Sequence, residues 1–340
     1  MVRDIVATAR EGSIMGIEIL KDPDQWNRFV DESPYGEIFH RWDLCRIVEA
    51  HTGSRFLPYG ITKGDQLIAL LPLFTRKVRG VMMVSSPPQW AGIPHMGLVI
   101  LGSFDTLKQD RKERYLEIIG TELARELDSL GSDYFSMVLP AGFKDVRFFQ
   151  WLGFEAVPVY SYSIDLTPSL DEIFDSFKGQ RKTRLRSTLR SGYSVRRGTG
   201  VSELYRMMKT TIEEQGRSLS IPGEEYLQAL SRDVPAHVQV TSLLDGERVV
   251  AACMVTKYKD AKLWHWAGEH KGNVTDLLIW QIIQDAKEEG FRSLELVGAN
   301  TRHLSLYKNQ FNPSLITSFI ISRKNWLART AEAVYRMMRK

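Results

Sequence analysis

Apolar and polar positions along this chain switch between a two-residue and a helical period, and the same succession of patterns occurs twice. In the first half, Pro58-Tyr59-Gly60-Ile61 leads through Lys63-Gly64-Asp65 to the apolar run Leu67–Phe74. In the second, Val238–Leu244 leads through Asp245-Gly246-Glu247 to Val249–Val255. Glycine beside aspartate suits the positive φ of tight turns, so both read as β-hairpins. A long helical pattern follows each hairpin, Leu107–Leu130 closed by Gly131 and Asp276–Glu289 closed by Gly290. Then come strand patterns at Tyr134–Leu139 and Ser293–Val297, aromatic turns at 148–154 and 306–311, and final strands at Tyr160–Leu166 and Ile316–Ser322. The interval from helix-ending glycine to last phenylalanine is nearly the same, 131 to 154 against 290 to 311. This order predicts a duplicated α/β (α+β) unit, each copy a mixed sheet flanked by helices.

The second-half helix is the clearest. Leu278, Ile279, Ile282, Ile283 and Ala286 share one face, and Gln284, Lys287 and Glu288 fall on the other. That period places the first set in the core, with Thr275 as N-cap. The loop before it, His270 to Val274, follows a strand pattern and contains Gly272, and a helix N-terminus there offers backbone N–H groups to a phosphate. A solvated tight turn is the alternative.

Between the repeats the chain turns basic. Lys178, Arg181, Lys182, Arg184, Arg186, Arg190, Arg196 and Arg197 follow one another without an acid. If 177–190 is helical, Lys182, Arg186 and Arg190 form a stripe, with Leu185 and Leu189 toward the core. Such a stripe fits a polyanionic partner, or a solvated face balanced by Asp171, Glu172 and Asp175.

Composition narrows the picture little. The 340 residues suit two domains, and 43% hydrophobic with 25% charged residues is ordinary for a globular chain of net charge +4. Cys45 and Cys253 lie far apart, so neither a disulfide framework nor a zinc site is expected. Arg3, Asp4, Arg10 and Glu11 interrupt any signal-peptide core, and Leu67–Phe74 is too short to span a bilayer. A cytoplasmic protein is expected.

The run Phe177-Lys178-Gly179-Gln180-Arg181-Lys182-Thr183-Arg184-Leu185-Arg186 with Ser191-Gly192-Tyr193-Ser194-Val195 resembles the segment that opens the second domain of Fem-type peptidoglycan-bridge aminoacyltransferases. Trp266-Ala267-Gly268, the helix 276–289, Leu306-Tyr307-Lys308-Asn309-Gln310-Phe311 and the early Phe39-His40-Arg41-Trp42 resemble that family's other landmarks. The resemblance spans roughly 16–322. It implies tandem GNAT-like domains and transfer of an acyl or aminoacyl group to an amine. The donor would be acyl-CoA or aminoacyl-tRNA, with no permanently bound cofactor and no metal. Bridge-forming members often carry a long coiled-coil arm; here Glu203–Gln215 and Glu224–Ser231 leave no room for one.

Aminolysis needs a deprotonated amine, a stabilised oxyanion and a positioned donor. Lys308 matches the lysine the family places in its turn, and the resemblance implies that it meets the donor carbonyl. Between apolar neighbours it could instead act as a base of lowered pKa, or be a snorkelling surface residue. Glu269 and His270, at the strand end before the helix, are further catalytic candidates. His265, between Trp264 and Trp266, reads as structural. Lys178, Arg181, Arg184, Lys271, Gly272 and Asn273 are donor- or phosphate-binding candidates. Phe39, Trp42, Trp90, His95 and Tyr59 are candidates to line an acceptor pocket, with Tyr307 a further acceptor candidate, although such aromatics also simply pack. No nucleophile elbow occurs.

The expected organisation is a first GNAT-like domain over 15–167, a second over 168–324, and a basic amphipathic helix over 325–340. That helix lies on an anionic membrane at the inner face or docks on its own protein. The partners expected are an anionic donor (CoA or tRNA) and an amine on a sugar- or peptide-containing cell-envelope precursor, and not DNA. The competing reading is a non-catalytic protein that binds RNA or membrane through 178–197.

Overall fold

The hairpin runs become inner strands of one continuous sheet. The computed structural model describes residues 15–214, 216, 219–269 and 274–338, with backbone alone at 262–266, 269 and 333–338. The first half runs β1 (Met15–Ile19), α1 (Pro23–Glu32), α2 (Trp42–Thr52), β2 (Arg55–Lys63), β3 (Gln66–Val78), β4 (Val81–Ser86), β5 (Val99–Ile100), α3 (Gln109–Ser129), β6 (Tyr134–Val138), α4 (Arg147–Trp151) and β7 (Glu155–Asp165). Two short helices follow, α5 (Leu170–Ser176) and α6 (Gly179–Leu189). The second half runs β8 (Ser194–Arg197), α7 (Val201–Glu214), α8 (Glu224–Asp233), β9 (Val238–Asp245), β10 (Arg248–Tyr258), β11 (Ala261–Glu269), α9 (Val274–Glu288), β12 (Ser293–Leu296), α10 (Arg302–Lys308) and β13 (Ser314–Lys324), with α11 (Trp326–Met338) appended. Apart from β5, the two halves match element by element, so the duplication extends to elements the periodicity did not mark: β1, α1 and α2 answer β8, α7 and α8. Thr275 lies within α9 rather than capping it.

The strand order is β1-β2-β3-β4-β6-β13-β7-β12-β11-β10-β9-β8, with β5 on β3. Sequence order puts the last strand of each repeat at the end of its own half, but the structure exchanges them. β7 pairs with β12 of the second half, and β13 with β6 of the first. The two also pair antiparallel with each other, from Ser314↔Ser163 to Ser322↔Glu155. The exchange satisfies the backbone edges that β6 and β12 would otherwise leave open, and makes one sheet of two.

The long apolar runs are explained by helices on both faces. Along β3, Leu70 and Phe74 enter one core, while Ala69, Leu71 and Leu73 enter another. The first core is shared by α1, α2, α7 and α8, and joins Trp26 and Leu44 to Met207, Tyr226 and Met254. On the opposite face α3 and α4 cover the first half, and α9 with Phe177 and Leu185 covers the second. Leu278, Ile279, Ile282, Ile283 and Ala286 are all buried there, as their period predicts. Leu189 is half exposed, because α6 ends at that residue.

Candidate active site

β11 and β12 run parallel only from Ala261↔Ser293 to Trp264↔Leu296. Beyond Leu296 the chain leaves the ladder and is tied to the exchanged strand instead: Ala299 N–H donates to Tyr160 O at 3.0 Å, and Tyr160 N–H to Asn300 Oδ1 at 2.7 Å. Gly298 turns with φ +85°, a conformation that costs glycine nothing. The turn aims two successive carbonyls at one point, and Lys308 fills it from the end of α10. Its ammonium donates to Val297 O and, at 3.1 Å, to Gly298 O.

Lys308 is 8% exposed. Burial lowers its pKa to about 8, against the Glu295 charge, which raises it. The amine is therefore mostly protonated at neutral pH, yet close to losing its proton. Glu295, on β12, accepts from Ser161 Oγ of β7 at 2.5 Å. Burial opposes its charge, but His95, Ser161 and Lys308 together hold its pKa below the usual carboxylate range. His95 comes from the loop after β4 in the other half. Its Nε2 lies 3.5 Å from Glu295 and its Nδ1 2.5 Å from Glu37. Burial disfavours the imidazolium, but the two carboxylates outweigh it and raise the His95 pKa well above the ordinary value. Behind it His40 is fully buried, and burial, then the His95 charge, lowers its pKa to about 3. Sequence reasoning missed both carboxylates: Glu37 sits in the chain just before the short turn Ile38–His40, and Glu295 stands at an alternating strand position, where a carboxylate reads as solvent-facing. Only the exchange of β7 and the packing of the halves bury it.

Several expected site residues are structural. Arg181 is 1% exposed and ion-paired to Asp276, with its guanidinium 4.6 Å from the Tyr307 ring and 4.8 Å from Phe311. It was expected on a phosphate, but Asp276 takes its charge. Tyr307, expected toward the acceptor, donates its hydroxyl to Asp276 Oδ1 at 2.8 Å. That interaction fixes α10 against α9 and so sets where Lys308 points. Phe39 is buried, edge-on to His95 at 6.2 Å, and Trp42 packs edge-on to Trp26 and Phe56. Phe39 builds the wall, while Trp42 is only partly buried against it. Tyr59 is likewise buried, bonded to Glu126 at 2.5 Å.

Other candidates stay open to ligands. Arg184 is half exposed, 3.9 Å from Asp276 at the start of α9, and Lys178 is exposed at the start of α6. Trp90 is 41% exposed, with the Arg76 guanidinium 5.1 Å from its ring. Glu269 ends β11, while His270, Lys271, Gly272 and Asn273 lie outside the described residues. Among the described residues no cluster of histidine, cysteine and carboxylates suits a metal ion.

Residues 177–309, from the end of α5 to the end of α10, match the family model of an acetyltransferase (GNAT) domain. Among solved structures, FemX superposes with a TM-score of 0.67 at 10% identity, covering 89% of this chain and 96% of its own. The chain thus has the fold of FemX and of tandem GNAT proteins. A tandem GNAT protein from the clavulanic acid biosynthesis pathway gives 0.56 at 10% identity over 91% and 98% of the two chains. L-PGS from Bacillus licheniformis gives 0.54 at 17% identity over 89% and 92%. No curated protein matches in sequence. Within the tandem GNAT fold, Lys308 and Glu295 belong to the second unit, and Glu37 and His95 to the first.

Proposed function

We propose that this chain is an N-acyltransferase that moves an acyl or aminoacyl group from acyl-CoA or aminoacyl-tRNA to an amine on a cell-envelope or polysaccharide precursor. The observation that carries the reading is the Lys308 ammonium, buried at the seam of the halves and held by two carbonyls. As an amine attacks an ester or thioester carbonyl, the C–N bond forms and negative charge collects on the carbonyl oxygen. A fixed cation in a site with little water stabilises that charge far more than the neutral ground state. The tetrahedral adduct then collapses by expelling thiolate or alkoxide. A lysine of pKa about 8 can protonate that leaving group and regain its proton from the attacking ammonium.

The donor phosphates would meet Arg184 and Lys178, beside the start of α9. Trp90 would present a ring to the acceptor. Glu269, His270, Lys271, Gly272 and Asn273 remain candidates in the loop that reaches α9. We take 15–167 and 168–324 as the two repeats. With Trp326 74% exposed, α11 would rest on the inner face of an anionic membrane. No helix among the described residues is long and apolar enough to cross one. A purely RNA- or membrane-binding role for α6 is less well supported, because its cations are partly engaged: Lys182 donates to Asp175 O at 3.0 Å and Arg186 lies over Phe174.

The test is a thermal-shift screen of the full chain with acetyl-CoA, longer acyl-CoAs and charged tRNA. A donor at a hundred times its Kd stabilises the fold by about 2.7 kcal/mol. One of them should raise the melting temperature, and Arg184→Ala should shrink the shift without lowering the unliganded value. If no donor shifts the melt, the reading loses its basis.

A further inference from the structure

His95 stands out because neither of its carboxylate partners comes from its own loop. Glu37 precedes the turn Ile38–His40 in the first half; Glu295 is in β12 of the second. The side chains are 7%, 24% and 12% exposed for His95, Glu37 and Glu295. The loop that delivers His95 is pinned. Met96 N–H donates to Val138 O at 3.2 Å, Ser86 Oγ donates to Met96 O, and Gly97 passes so close to β6 that an added Cβ would lie 2.7 Å from Val138 O. The same loop presents Trp90 outward. It therefore joins the face available to an acceptor to the buried chain that ends at Lys308.

We propose that His95 is a positioning residue, which fixes the Glu295 carboxylate between the two halves and with it the end of β12, whose following carbonyls, Val297 and Gly298, hold the Lys308 ammonium in its working place. The proposal rests on the acyltransfer reading of Lys308. The groups facing His95 are Glu37, Glu295 and neutral His40, and the Lys259 charge also reaches His40. Those facing Lys308 are the Val297 and Gly298 carbonyls, and the Glu295 charge also reaches it. The influence of His95 on Lys308 thus runs through Glu295, and this gives the idea a signature. If His95 acted on Lys308 as a nearby cation, removing it would raise the Lys308 titration midpoint. If it acts by holding Glu295 ionised and in register, removing it frees burial to lower the midpoint further.

The experiment is competitive acetylation of the folded full chain with acetic anhydride across about pH 6 to 11, with the Lys308 peptide quantified by mass spectrometry. It needs no substrate. Glu295→Gln should lower the Lys308 midpoint. His95→Gln should lower it in the same direction, and the double variant no further than the larger single effect, because the two act in one chain. Glu37→Gln, at the partly exposed end, provides a milder variant that keeps the fold and should shift the midpoint the same way by less. In an acyltransfer assay His95→Gln should lose about tenfold in kcat/KM, on the scale of lost supporting hydrogen bonds around a reactive group. A midpoint that stays put or rises in His95→Gln and Glu37→Gln overturns the proposal, even where the melting temperature falls. Lys308→Met with unchanged turnover would overturn the acyltransfer reading instead, so the two failures are separable.

Discussion

A buried lysine carries an energetic signature that can be read without a substrate. Folding lowers the Lys308 pKa from 10.5 to about 8. The unfolded chain therefore binds more protons than the native one between those values, and stability rises with pH across that window. Below pH 8 the full penalty, about 3 kcal/mol, is present, and it fades toward pH 10.5. Denaturant melts of wild type and Lys308→Met at several pH values should show the difference moving in favour of the wild type from pH 8 upward; a difference independent of pH contradicts the burial argument. Arg181 makes the opposite case. Arg181→Met leaves the Asp276 carboxylate buried without its partner and should cost about 3–5 kcal/mol by chemical denaturation. Arg184→Ala, at the half-exposed position three residues further along α6, should cost well under 1 kcal/mol. In sequence these arginines are indistinguishable members of one basic run. What separates them is Asp276, nearly a hundred positions away and visible as a partner only once α6 lies on α9.

At the scale of elements, the helical and strand periods were legible because helices cover both faces of the sheet and each face imposes its own register. The runs in β3 and β10 and the apolar face of α9 announce themselves for that reason. Short elements did not: β1 and β8 are edge strands of five and four residues, too brief for alternation to stand out. The loop after β4 was legible as a loop, by its prolines, but not as a joint. Its function as a joint depends on Gly97, where chain meets chain. Gly97→Ala should destabilise the protein by about 1–3 kcal/mol, since the obstacle is the Val138 backbone and not a movable side chain. A melting temperature equal to that of wild type would show that the loop has room to shift.

For the whole molecule, the exchange of β7 and β13 means that the halves are repeats in sequence without being independent bodies. Each owns a strand that the other needs. Residues 1–167 and 168–340 expressed separately should fail to show cooperative melts, and should recover one when co-expressed; a soluble, cooperatively melting single fragment would contradict the shared sheet. The duplication could be read from the order of patterns. The exchange could not, because pairing between strands some hundred and fifty residues apart leaves no local trace. It is also what makes the candidate site: Ser161 on β7, Glu295 on β12 and the 297–300 turn are neighbours only because the strands cross.

The most direct test of the account compares kcat/KM for acyl transfer in wild type and Lys308→Met, using the donor that stabilises the folded chain. With Lys308 as the oxyanion-stabilising cation, the loss should be about a hundredfold to a thousandfold with donor binding retained, as for removal of one such group. Turnover within about threefold of wild type would contradict that role.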